Sequence, residues 1–230
     1  MLLYRITGLS IFLWWVMTTV ASAQTVMDYV HRIDTEFDDP YQEGELWAND
    51  SIIDLPNGFY QRSFYADLTR PTDEKVLRQV AVFNNADGTK TIIEATSFYN
   101  FVCWTNRLRF FYDDGQTLQT FHPNDHDYFL PPIRDAELLS ETALSIFKKY
   151  FQRANPAIVP SFAAFVNEAY DNPRYVLPRY GTDIVVHLDF CDYFGTDLDL
   201  DFAEDDWATF QEGVVPLRLS YDKVHKQFRR

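Results

Sequence analysis

Two cysteines, Cys103 and Cys191, are the whole thiol content of this 230-residue chain, and its 20 Lys and Arg are outnumbered by 34 Asp and Glu. The shortage of positive charge argues against DNA, RNA or an anionic membrane surface as partner, because binding phosphates takes clustered Lys and Arg to displace counterions. Catalytic signatures are missing as well. Past the N-terminal segment there is no Gly-x-Ser-x-Gly elbow, no His-Glu-x-x-His, no phosphate-cradling Gly-x-x-x-x-Gly-Lys and no dinucleotide fingerprint. Lipase-like, zincin, NTPase and dehydrogenase chemistries therefore lose their usual supports. No long repeat and no low-complexity tract runs through the chain, and two Asp-Gly turns do not make the recurring blades of a propeller.

The one conspicuous apolar run, residues 9–20, is shorter than the ~20 residues a spanning helix needs. Arg5 precedes it and Ala21-Ser22-Ala23 closes it. A charged start, a short apolar stretch and an Ala-x-Ala site are the grammar of a secretory signal peptide over residues 1–23, with a mature chain beginning at Gln24. The expected location is secreted or periplasmic. Removing Arg5 leaves 19 basic against 34 acidic residues, a net charge of −15. The remaining residues, 24–230, are expected to form a single domain, and 47% hydrophobic content is enough for a real core. In an oxidising compartment the two cysteines are expected to pair, Cys103 with Cys191, closing a loop worth roughly 4–5 kcal/mol in the chain-entropy model.

Periodicity sets the fold class. Val26, Tyr29, Val30, Ile33 and Phe37 recur at helical spacing, with acids and bases opposite. The acid-rich stretch 38–56, with Pro, Gly and Asn, reads as an exposed connection and carries the sequon Asn49-Asp50-Ser51. Residues 58–121 switch to strand composition, with hairpin turns at Asp87-Gly88 and Asp114-Gly115. The expected hairpins pair 76–83 with 89–98, and 101–112 with 117–121. Val76, Val80 and Val82 alternate with Leu77, Ala81 and Phe83, so both faces are apolar and both should be covered.

After Pro131-Pro132 a helix is expected over 135–153, ended by Pro156, and a second over 161–170. Strands return around Ile184, Val186 and Leu188, and around Leu217, Leu219 and Tyr221. Strands, then helices, then strands give an α+β fold: an antiparallel meander of hairpins with two or three helices packed on one face.

Candidate sites are few. Asp197, Asp199 and Asp201 lead an acidic region that continues through Glu204, Asp205 and Asp206, and oxygen ligands packed this way suit calcium. An EF-hand is excluded, since Phe202 stands where the loop glycine belongs and Ala208 where the closing Glu belongs. An edge strand with Leu198, Leu200 and Phe202 turned inward is the plainer account. His122 and His126 flank Asp125 and have the right chemistry for zinc or proton transfer, but Pro123 and Asn124 set them in a loop. His187, between Val186 and Leu188, reads as a hydrogen-bonded strand residue. Carboxylate pairs such as Glu43 and Glu45, or Asp205 and Asp206, would serve glycoside hydrolysis only at the right spatial separation.

The segment holding Tyr99, Phe101, Trp104, Phe110, Phe111 and Tyr112 carries Arg107 and Arg109 between its aromatics. That mixture suits a core on one face and a protein or sugar surface on the other. No cofactor is required by any of these patterns. Two functional readings follow: an exported, acidic, non-enzymatic binding domain that engages a cationic protein or an envelope component, or a divergent carboxylate- or metal-dependent hydrolase built from 183–206 and 122–127.

Overall fold

Turn chemistry sets the register of the central sheet. Asn85 and Thr89 close the Asp87-Gly88 turn through a backbone bond of 2.9 Å, and Asp87 Oδ1 accepts from the Thr89 hydroxyl at 2.6 Å. Gly88 and Gly115 take positive φ at the tips of their hairpins. From these turns grows an antiparallel meander of six neighbouring strands: β1 (Trp47–Asp54), β2 (Phe59–Tyr65), β3 (Lys75–Asn84), β4 (Lys90–Tyr99), β5 (Trp104–Asp113) and β6 (Leu118–Thr120). The computed structural model describes residues 24–37, 47–65, 75–99, 104–121, 129–131, 134–154, 156–157, 174–187 and 202–230.

A second antiparallel sheet, in the order β10-β9-β8-β7, comes from β7 (Arg174–Val176), β8 (Asp183–His187), β9 (Leu217–Asp222) and β10 (Gln227–Arg229). The helices are α1 (Val26–Glu36), the single turn α2 (Asp135–Leu138), α3 (Glu141–Ala154) and α4 (Glu204–Glu212). The α+β class and the antiparallel meander are as the sequence predicts.

The helices do not share one face, and this corrects the expected arrangement. Adjacent residues of each central strand enter different cores, as period-2 alternation requires. Tyr60, Val80, Ile92, Phe111 and Leu118 pack with Val26, Tyr29, Val30 and Ile33 of α1. Phe59, Ala81, Ile93 and Phe110 point the other way, into a larger core shared with α2, α3, α4 and the second sheet. A sheet apolar on both sides has to be covered on both sides, and α1 is what covers the second.

Local chemistry explains α1. Thr25 caps it, the Asp28 carboxylate receives the Thr25 N–H at 2.6 Å, and the buried stripe is the one its periodicity marks. The Tyr29 hydroxyl donates to buried Asp113, tying the first turns of the helix to the end of β5. Burial first, and then that carboxylate, push the Tyr29 phenol well above its ordinary range.

Two expected boundaries move. The stretch 38–56 contains β1, which among the described residues pairs with β2 alone and so stands at the sheet edge, where polar side chains are tolerated. The helix expected over 135–153 is broken, because the Ser140 N–H bonds Gly213 O at 2.7 Å and the Val215 N–H bonds Leu138 O at 2.8 Å. The chain restarts as α3 with Ser140 Oγ accepting the Ala143 N–H at 3.3 Å. The helix expected over 161–170 lies outside the described residues.

Two buried polar links join the sheets. The Tyr221 hydroxyl donates to Asn85 Oδ1 at 2.8 Å and lies 2.6 Å from Thr91 Oγ1, beneath a cluster of Phe83, Tyr221 and Phe228 rings. Gln79 donates to Gln61 Oε1 at 2.8 Å and accepts the Leu177 N–H at 3.1 Å.

Candidate functional site

Several sites marked in the sequence lie outside the described residues: Asp197, Asp199 and Asp201, His122 and His126, Cys103 and Cys191, and Glu43 and Glu45. The rest of the acidic region is helical. Glu204, Asp205 and Asp206 form the first turn of α4, where carboxylates complement the positive end of the helix dipole. Asp206 Oδ2 accepts from Lys149 Nζ at 2.8 Å and from the Tyr150 hydroxyl at 2.6 Å, and these bonds, Lys149 foremost, hold its carboxyl below the usual range. The Tyr150 hydroxyl in turn accepts the Ala203 N–H, so this corner fastens α3 to α4. Among the described residues no group of three or more His, Cys, Asp or Glu is placed to hold a metal ion. Within the same residues no helix is long and apolar enough to cross a membrane.

The side chains that the fold does bring together stand on the α1 face of the central sheet. Cross-strand register lines up Arg62, Arg78, Thr96 and Arg107, one from each of four adjacent strands β2 to β5. The next row toward the hairpin turns reads Tyr60, Val80, Glu94 and Arg109. Alternation puts both rows on the face that carries Val80, Ile92 and Phe111.

Glu94 is 1% exposed and lies between two guanidiniums. Arg78 Nε donates to its Oε1 at 2.8 Å, and Arg109 Nε donates to its Oε2. Arg78 is also buried, and its Nη2 reaches Asp34 Oδ1 on the last turn of α1 at 2.6 Å. The Arg109 guanidinium stands 5.5 Å from the Phe111 ring centre, a cation–π distance. Exposure rises toward β5: Thr96 is buried, Arg109 half-buried and Arg107 exposed, and Arg107 makes no ion pair among the described residues.

Comparison with protein-family models, with curated proteins and with solved structures finds no match in any of the three. The site is therefore read from its own chemistry. Four guanidiniums, two carboxylates and a hydroxyl, carried on strands rather than loops, form a rigid polar strip suited to bidentate hydrogen bonding. Arg107 and Arg109 stand out in the sequence as cations among aromatics. Arg62, Arg78 and Glu94 do not, although an Arg inside a strand with two apolar faces, and a Glu across the Asp87-Gly88 turn from it, are a signal of a buried ion pair.

Proposed function

We propose that the protein is an exported, non-enzymatic binding domain whose ligand surface is the accessible part of the arginine row, at exposed Arg107 and half-buried Arg62 and Arg109, backed by buried Arg78 and Thr96. Export rests on the signal-peptide pattern of residues 1–23. The observation that carries the binding surface is the cross-strand row itself: four strands contribute three arginines and a threonine to one line. A non-catalytic role is supported by the engagement of the buried carboxylates, Glu94 by two arginines and Asp113 by the Tyr29 hydroxyl and the Gly115 N–H. Both are occupied in holding elements together.

A screen of small ligands by two-dimensional amide NMR tests this. The expected result is that hits perturb residues 62, 78, 94, 96, 107 and 109 together. Hits confined to other surfaces, or turnover of any compound in the screen, overturn the proposal. A second reading draws on the net charge of −14 and on Glu204 and Asp205, exposed on the first turn of α4: a cationic protein partner. It predicts salt-sensitive binding to a basic peptide that weakens when both residues become Gln.

A further inference from the structure

We infer that Asn57 is a site of spontaneous covalent modification: the Asn57-Gly58 step between β1 and β2 converts to aspartyl and isoaspartyl forms, at a rate set by Asp54 and its ion pair with Arg179. This site is separate from the arginine row.

Of all the asparagines in the chain only Asn57 precedes a glycine, and glycine leaves its own backbone nitrogen unshielded by a side chain. The fold then holds that glycine in place. Gly58 takes a φ of 63°, and a Cβ there would come within 3.2 Å of Val82 Cβ. Asn57 is exposed, so water reaches its amide. Reaction begins when the Gly58 nitrogen gives its proton to a solvent base and attacks Asn57 Cγ. The new C–N bond closes a succinimide as the Cγ–Nδ2 bond breaks, and the nitrogen leaves as ammonia with a proton from water. Water then opens the ring at either carbonyl, giving an aspartyl or an isoaspartyl link. No oxidant or cofactor takes part.

Three hydrogen bonds hold the reacting groups in the turn and off that path. The Gly58 N–H donates to Leu55 O at 3.2 Å. Asp54 Oδ1 accepts the Asn57 N–H at 3.3 Å and Asn57 Nδ2 at 2.9 Å. The other oxygen, Oδ2, accepts from Arg179 Nε at 2.9 Å, and Arg179 first, then Asn57, keeps the Asp54 carboxyl below its usual range. An ionised Asp54 has no proton to give the departing nitrogen, and its charge opposes the anion that forms at Asn57 Cγ. Asp54 is therefore a brake, steadied by Arg179 from the segment between β7 and β8.

The product alters the turn. A carboxylate at position 57 lacks the Nδ2 donor and faces Asp54 as a like charge. The isoaspartyl form also adds a carbon to the main chain beside Gly58, whose carbonyl accepts the Val82 N–H at 2.9 Å. Modification thus loosens this end of the β1–β2 hairpin from β3.

The test is incubation in mildly alkaline buffer of protein from an exporting host, its Asp54→Ala and Arg179→Gln variants, and the wild type unfolded in urea. Peptide mapping with electron-transfer fragmentation counts aspartyl and isoaspartyl forms at every asparagine, and amide spectra verify that both variants are folded. Asn57 is expected to convert faster than any other asparagine, and about tenfold more slowly in the folded chain than in urea. Asp54→Ala should speed conversion about three- to tenfold, and Arg179→Gln about twofold. The Val82 amide of converted protein should exchange faster than that of fresh protein. A folded chain that keeps Asn57 intact while the urea sample converts, or that converts faster elsewhere, overturns the site. A rate that Asp54→Ala leaves unchanged overturns the brake.

Discussion

Replacing Glu94 by Gln removes one charge from the centre of the sheet at almost constant shape, and its cost follows from the surroundings. The carboxylate is 1% exposed and receives Arg78 Nε and Arg109 Nε. Removing one partner of a buried ion pair typically costs 3–5 kcal/mol, because the remaining charge stays buried without compensation. Here Arg78 keeps Asp34, and the Arg109 side chain is 11% exposed and so partly hydrated. Gln also still offers one acceptor oxygen. These three features place the expected loss at the lower end, about 3 kcal/mol. In a chain of this length that corresponds to a fall in Tm of roughly 6–12 °C. Urea unfolding with an unchanged slope is the assay of choice, since a changed slope would report a different native compactness. Pairing Glu94→Gln with Arg109→Gln should cost less than the sum of the two single changes. A loss below about 1 kcal/mol would refute the reasoning, because only a hydrated, loosely held cluster behaves that way.

Three further outcomes are expected. A Cβ on Gly213 would sit 2.5 Å from both Ala143 Cβ and Ser140 Oγ, so Gly213→Ala should cost about 1–3 kcal/mol by forcing α3 from the end of α4; unchanged thermal unfolding would show that this contact yields. Tyr221→Phe removes the buried hydroxyl shared with Asn85 and Thr91 and should cost about 1–3 kcal/mol in chemical unfolding, a neutral result meaning that water replaces it. Asp87, held chiefly by Lys226, and Asp222, held chiefly by the His225 N–H, are each pushed down to about 2. Their folded values lie below the unfolded carboxylate value, so what they contribute is present above about pH 4 and is lost as the pH falls toward 2. Carboxyl-carbon NMR should give midpoints near 2 for both, and midpoints near 4 would show that the bonds do not persist in solution.

What the sequence discloses about this fold divides by the range over which each signal acts. The stripe Val26, Tyr29, Val30 and Ile33 declares α1 because four residues on one helix face are a local pattern, and its cap, Thr25 with Asp28, is equally local. Which face of the sheet that stripe covers is a long-range fact, carried by the side on which Ile92 and Phe111 emerge rather than by anything within residues 26–36. For the same reason β1 passes as a loop: an edge strand has one neighbour, and its sequence need not look like a buried strand. The break at Ser140 is invisible locally because its cause, the carbonyl of Gly213, is more than seventy residues away. The arginine row is intermediate. Arg107 and Arg109 declare a polar line two residues apart on one strand, but Arg62 and Arg78 join it only through register. That register was partly open to inference, since centring a hairpin on the Asp87-Gly88 turn sets position 78 opposite 96 and position 80 opposite 94. Arg78 and Glu94 then fall on one diagonal and one face, and a cation and an anion buried in that relation must pair. A turn, once recognised, therefore carries information about chemistry four residue pairs away from it.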